Sequence, residues 1–184
     1  PARPGRDRLQ QQMSTCAQPR PARCYACRTM PSFYLSQGYD AQASFIWSVL
    51  TDFPSWPEWF PNMTALSVTD GAAPASGVEL LATGDRADDW TKWRITKWTE
   101  PALLVCEHVE STVPVSRGID AAYMQFELFD EPEGCTLEVE IGAESGNVVG
   151  DFFVGMTLGT GARRMLPQLV SAFSAHAVRR ASQP

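Results

Sequence analysis

Between Ala41 and Pro61 the chain reads AQASFIWSVLTDFPSWPEWFP, and its apolar positions keep a helical period only as far as a proline. Ile46, Val49, Leu50 and Phe53 fall at i, i+3, i+4 and i+7, a stripe on one helical face. Asp40 stands where an N-cap belongs, and Pro54 lacks the donor the helix would need to continue. Trp56, Trp59 and Phe60 follow within five residues, interleaved with Pro57 and Pro61. The pattern predicts a short amphipathic helix running into an aromatic, proline-bent segment. Tryptophans in such a place either plug one end of a sheet or touch a bound molecule, and the pattern leaves both open.

Downstream the period changes from helical to alternating. Strand-like runs cover Asn62–Asp70 and Gly77–Arg86, parted by the turn-rich G-A-A-P-A-S-G, then Trp90–Thr99 and Ala102–Glu110, joined at Glu100-Pro101. Asp120–Phe129 and Cys135–Ala143 flank D-E-P-E-G, which predicts a hairpin. In the last run Leu137, Val139 and Ile141 point one way, while Thr136, Glu138 and Glu140 point the other. A sheet with one apolar face needs a cover, and the only long helix left spans about Val148 to Arg180. Met165, Leu166, Leu169, Val170 and Phe173 form the sheet-facing stripe of its second half. Its first half carries Gly155, Gly159 and Gly161, each about 1 kcal/mol worse than alanine inside a helix. Gly155, Leu158, Gly159 and Ala162 continue the stripe upstream. Small residues there mean close packing, a break in the helix, or the roof of a cavity.

The order of these pieces, a helix ending in V-L-T-D-F followed by W-P-E-W-F-P, resembles the start of the START-like superfamily. These proteins are also called SRPBCC or polyketide cyclase/dehydrase-like. Members commonly open with an apolar helix ending near Asp, then a tryptophan-containing second helix. The resemblance covers roughly Phe33 to Val178. It implies an α+β helix-grip (START/Bet v 1-like) fold: a curved antiparallel sheet of about six to seven strands wrapped around a long C-terminal helix. Two short helices would follow the first strand, and a pocket would lie between sheet and helix. The resemblance is specific for the fold and nearly silent on the substrate.

If Leu137, Val139 and Ile141 face the long helix, strand parity brings Met124, Phe126 and Leu128 to the same face. The same parity adds Leu104, Cys106 and His108, then Trp93 and Ile95. The candidate cavity wall is therefore Trp93, Ile95, His108, Met124, Phe126, Val139 and Ile141. Phe152, Met156, Gly159 and Ala162 of the long helix and Trp59 of the aromatic segment would close it. This wall is apolar with His108 as its single titratable group, a setting for a hydrophobic or aromatic ligand with one polar handle. A lone histidine is also what an ordinary core or rim position holds.

Length and charge narrow the partners. The chain has 184 residues, enough for one domain of about 150 residues at 33–180 behind a head at 1–32. The head is rich in Pro, Arg and Gln, lacks apolar period, and is expected to be disordered. It reads as translated upstream sequence before Met30 or Met13, as an Arg-rich transit peptide, or as a functional tail. Six Arg and one Asp give it a net charge of +5, which leaves 9 basic and 20 acidic residues, net −11, for the rest. A body that acidic argues against nucleic acid or an anionic membrane as partner. No window approaches the ~18 to 20 apolar residues of a transmembrane segment.

Chemistry-bearing motifs are scarce. Cys24 and Cys27 form a lone C-x-x-C with Cys16 upstream, and His108 and His176 lie far from them, so no four-ligand zinc site forms and no metal is expected. An odd total of five cysteines offers no disulfide framework and fits a reducing compartment, the cytoplasm, or an organelle if the head is a transit peptide. No H-E-x-x-H, G-x-S-x-G, Walker or G-x-G-x-x-G motif occurs, and neither a cofactor nor a catalytic constellation is expected. Asp85, Asp88 and Asp89 cluster where a turn alone explains them. Arg163-Arg164 suits either a carboxylate or phosphate head or a solvated surface.

Three functions stand. The first is non-catalytic binding of a lipid, quinone, isoprenoid or aromatic compound, which the resemblance implies through coenzyme Q-binding proteins and START lipid carriers. The second is polyketide cyclase, aromatase or dehydratase chemistry, where shaping a reactive chain does most of the work and His108, Tyr123 or Arg94 would serve as proton donor or anchor. The third is a chaperone-cofactor role like that of START-like activators of heat-shock ATPases.

Overall fold

The computed structural model describes residues 32–86, 88–112, 121–144 and 148–182, with the backbone alone for 144 and 148–160. The head, with Cys16, Cys24 and Cys27, lies outside the described residues apart from Ser32. Strand β1 (Ser32–Tyr39) leads into helix α1 (Ala43–Leu50) and a 3₁₀ segment, Phe53–Glu58. Strands β2 (Ala65–Val68), β3 (Glu79–Thr83), β4 (Trp90–Thr99), β5 (Leu103–Ser111), β6 (Ala121–Glu131) and β7 (Gly134–Glu144) follow, and helix α2 (Val148–Ala181) ends the domain. All seven strands form one antiparallel sheet in the order β1-β7-β6-β5-β4-β3-β2. With its long C-terminal helix and two short helices after β1, this is the helix-grip architecture.

Helix α1 begins two residues later than its sequence pattern predicts. Its N-cap is Gln42 rather than Asp40, and no side chain caps it. Eight residues are too few for a helix to stand alone in water. What holds it is burial of Ile46, Trp47, Val49 and Leu50 against β6 and β7, each contributing about 1.5–3 kcal/mol. Thr51 closes α1, Pro54 occupies the first turn of the 3₁₀ segment, and Phe53 continues the buried stripe from there.

Helix α2 leaves the sheet at the upper end, where Ser32, Ala121 and Glu144 lie, and runs toward the lower end at Tyr39 and Cys135. There the Tyr39 hydroxyl meets Ser174 Oγ at 3.0 Å and its ring stands edge-on to Phe173 at 6.1 Å. Burial pushes the Tyr39 phenol up to about 12 against the hydrogen bond to Ser174, so it stays neutral. Pro167 stands inside α2 without ending it. Among the described residues α2 packs on β1 and β7, one margin of the sheet.

The β6–β7 hairpin brings Gly134 against β1 so closely that a Cβ there would run into the Tyr39 carbonyl oxygen. Gly134→Ala is therefore expected to lower stability by about 2 kcal/mol or more in urea denaturation. Gly38→Ala, where an added Cβ meets nothing within 4 Å, is expected to stay within about 0.5 kcal/mol of the parent.

Candidate functional site

Cross-strand partners share a face of the sheet, so the register states which side chains line its concave side. Leu137, Val139 and Ile141 stand opposite Leu128, Phe126 and Met124, and Met124 and Phe126 stand opposite Cys106 and Leu104. His108 pairs with Trp93 and Cys106 with Ile95. On the other flank Phe33 and Leu35 face Ile141 and Val139, and Leu80 faces Trp93. The register thus brings Trp93, Ile95, His108, Met124, Phe126, Val139 and Ile141 to one surface. Phe152, Met156 and Gly159, on the half of α2 that begins at the upper end, lie outside the described side chains. Ala162 is buried, whereas Gly161 and the pair Arg163 and Arg164 face solvent.

Burial is uneven along this concave surface. In its middle and lower half Leu104 and Ile95 are 0% exposed and Phe126, Val139 and Leu137 are 1% exposed. The aromatic segment fills that half. Trp56 stands edge-on to Phe126 at 5.6 Å, Trp47 meets Trp98 at 5.0 Å, and Phe53 meets Trp98 at 6.4 Å. In the upper half Ile141 and Met124 keep 8% and 6% exposure, and Phe33, Trp93 and His108 are only half-buried. Helix α1 packs on β6 and β7, while the 3₁₀ segment packs on β2, whose partner β3 runs beside the upper half of β4.

The aromatic segment is pinned in three ways. The Trp56 indole N–H donates to the Leu50 carbonyl at 2.7 Å, satisfying an acceptor that the end of α1 leaves open. Asp52 and Glu58, one at each end of the segment, reach Arg180 at 3.2 Å and His176 Nδ1 at 3.2 Å on the last turns of α2. Trp59, beneath this bracket, packs on Trp56 at 4.8 Å and edge-on to Phe173 at 4.9 Å. It also lines a surface recess of about 380 Å³ at the seam with Gln168 and Ala172 of α2. Among the described residues its indole N–H has no hydrogen-bond partner. A second recess, about 570 Å³, lies at the lower end between residues 40–44 and 130–134, and no residue of the candidate wall borders it. His176 escaped the sequence reading, although it follows Phe173 at i+3 and so continues the buried stripe.

The concave wall is electrically bare. Lys92, Arg94 and Lys97 turn to the convex face, where Lys92 meets Glu110 and Arg94 meets Glu79, each at 2.6 Å. Tyr123 is on that convex face too, donating to Glu140 at 2.8 Å with its ring over Gly142. Tyr123 and Arg94 therefore stand away from the cavity side, since each neighbours an inward residue in its strand and alternation turns it out. Cys106, on the wall, has its thiol pushed up to about 12 by burial and is a neutral, unreactive sulfur at physiological pH.

His108 is the wall's polar exception. Its ring stands edge-on to Trp93 at 5.7 Å, and its Nε2 is buried with no partner among the described residues. Burial lowers its pKa, opposed by the negative charge of Glu110. The described residues hold no cluster of His, Cys, Asp or Glu able to take a metal ion, and no helix among them is long and apolar enough to cross a membrane.

The profile of the family described as "Polyketide cyclase / dehydrase and lipid transport" matches residues 30–178. No protein with a curated description matches the sequence. Among solved structures, the di-domain ARO/CYC StfQ of the steffimycin biosynthetic pathway aligns over 84% of this chain with a TM-score of 0.62 and 12% identity. This chain spans about half of it, 52%. A START superfamily protein from Mycobacterium smegmatis aligns over 80% of this chain and 97% of its own length, with a TM-score of 0.60 and 15% identity. The Zhui aromatase/cyclase from Streptomyces sp. R1128 does so over 83% and 96%, with a TM-score of 0.59 and 15% identity. At these identities the likeness is one of fold.

Two substitutions separate the neighbouring tryptophans. Trp56→Phe strands the Leu50 carbonyl, while Trp59→Phe removes an N–H that has no partner. Trp56→Phe is expected to cost at least about 1 kcal/mol more than Trp59→Phe in denaturant titration. A pH test addresses His108. Its folded pKa is depressed, so the unfolded chain binds the proton more readily and stability is lost as pH falls through about 6.5. His108→Phe is expected to shrink the difference in unfolding midpoint between pH 7.5 and pH 5.5.

Proposed function

This chain belongs to the polyketide cyclase / dehydrase and lipid transport family, and we propose that it binds a small hydrophobic or aromatic molecule between α2 and the upper half of its sheet. Lipid, quinone, isoprenoid and polyketide-like compounds are the candidate classes. One observation carries the reading: Phe33, Trp93 and His108, toward the upper end of this surface, are only half-buried, while Leu104, Ile95, Phe126, Val139 and Leu137 lie sealed in its middle and lower half. Apolar side chains left incompletely covered inside a folded domain are what a ligand cavity requires. Phe152, Met156, Gly159 and Ala162 would form the opposite wall, and Trp59 would border the cavity from the α2 side.

A second reading, polyketide cyclase- or aromatase-type chemistry, draws support from the buried, unpartnered Nε2 of His108. Two of the structural neighbours carry aromatase/cyclase in their names. An imidazole nitrogen in a mostly apolar wall is able to hand a proton to, or take one from, a folded substrate.

The test is native mass spectrometry of the full chain purified from cell extract, followed by organic extraction. A reproducible small-molecule adduct that disappears in Ile141→Trp, which fills the upper half, is the expected result; such overpacking usually costs about 1–3 kcal/mol and leaves the fold standing. An adduct unchanged in that variant would place the ligand elsewhere. A clean apo mass on folded protein would favour the enzyme reading, with transient substrates.

A further inference from the structure

The upper half of the concave wall has a charge property that narrows its ligand beyond "hydrophobic". In the described strands the register places no Lys, Arg, Asp or Glu on the face shared by Trp93, His108, Met124 and Ile141. Lys92 and Arg94 of β4 are on the convex side against Glu110 and Glu79, the register turns Lys97 to that side too, and Arg163, Arg164, Arg179 and Arg180 of α2 are exposed. Cys106 is neutral. A carboxylate or phosphate carried into this space would lose its hydration with nothing of opposite sign to meet it, a penalty of several kcal/mol in most settings.

At His108 the wall offers an unmet hydrogen bond. His108 Nε2 is buried and unpartnered among the described residues, and a buried polar atom is stabilised when a bound molecule supplies its missing partner. Burial holds the imidazole below its ordinary range, which leaves it uncharged at neutral pH and so able to pair with a neutral hydroxyl or carbonyl. Trp93, edge-on to that imidazole at 5.7 Å and only half-buried, supplies an aromatic surface beside it.

We infer that the ligand is an uncharged aromatic or ring-containing molecule bearing a hydroxyl or carbonyl group, and that His108 is the residue that selects for this group. This rests on the binding reading above and adds to it a rejection of carboxylates and phosphates. It also makes His108 a specificity-determining residue whether or not a reaction follows binding.

Three probes of one shape test it: 2-naphthol, 2-methylnaphthalene and 2-naphthoate, each measured by equilibrium dialysis at pH 7.5 against the full chain. The wild-type protein should bind 2-naphthol about tenfold more tightly than 2-methylnaphthalene, the ratio expected of one satisfied hydrogen bond, and 2-naphthoate most weakly. His108→Phe should bring 2-naphthol and 2-methylnaphthalene within about twofold of each other by weakening the first and sparing the second. His108→Leu supplies the same comparison if the phenylalanine is not accommodated. Equal wild-type affinities for the two neutral probes, a preference that survives both substitutions, or tightest binding of 2-naphthoate would each overturn the inference and leave the cavity standing. Failure of all three probes to bind would count against the cavity itself.

Discussion

The hydrogen bond from the Trp56 indole to the Leu50 carbonyl is the hinge of this structure. A helix that ends after eight residues leaves carbonyls without partners, and the chain behind it turns at Pro54 and Pro57. By satisfying one of those carbonyls from inside the core, Trp56 folds the proline-bent segment back under α1. From that position it presses on Phe126 of the sheet, stacks with Phe60 at 5.4 Å and supports Trp59 against Phe173. The sheet and the short helix meet on this one side chain, which is 1% exposed, and the long helix meets its neighbour Trp59.

A consequence is the asymmetry of the concave surface. Aromatic side chains fill the lower half, and among the described residues α2 packs on β1 and β7. Toward the upper ends of β4 and β5 the inward-facing Trp93 and His108 are only half-buried. Electrostatics follow the same division. Alternation in β4, with sequence WTKWRITKWT, sends Trp93 and Ile95 inward and Lys92 and Arg94 outward to the glutamates of β5 and β3. A neutral interior and a charged exterior come from one strand pattern, and the imidazole of His108 is the polar point left facing in.

Much of this was legible in the residues. The i, i+3, i+4, i+7 stripe, the D-E-P-E-G hairpin and the clean alternation of Leu137, Val139 and Ile141 each correspond to an observed element. Parity carried across the strands names the concave face because antiparallel partners share it. What escaped were features that arise only from pairing in three dimensions. A register shift at Thr96 turns Lys97 outward and Trp98 inward, onto Trp47 and Phe53, where simple alternation from Ile95 would have placed Lys97 inside. The bracket of Asp52 and Glu58 on Arg180 and His176 joins residues more than a hundred positions apart. Which ligand would suit a largely apolar wall with one histidine is chemistry left unwritten in the sequence.

The most direct test of the account is a methyl-resolved NMR titration of the full chain with 2-naphthol. The Met124 and Ile141 methyl signals and the His108 ring should shift together and saturably, while Leu104 and Leu137, buried in the middle and lower half, stay in place. Shifts confined to residues 40–44 and 130–134, or to the seam at Trp59, Gln168 and Ala172, would contradict it by placing the binding surface outside the sheet's concave face.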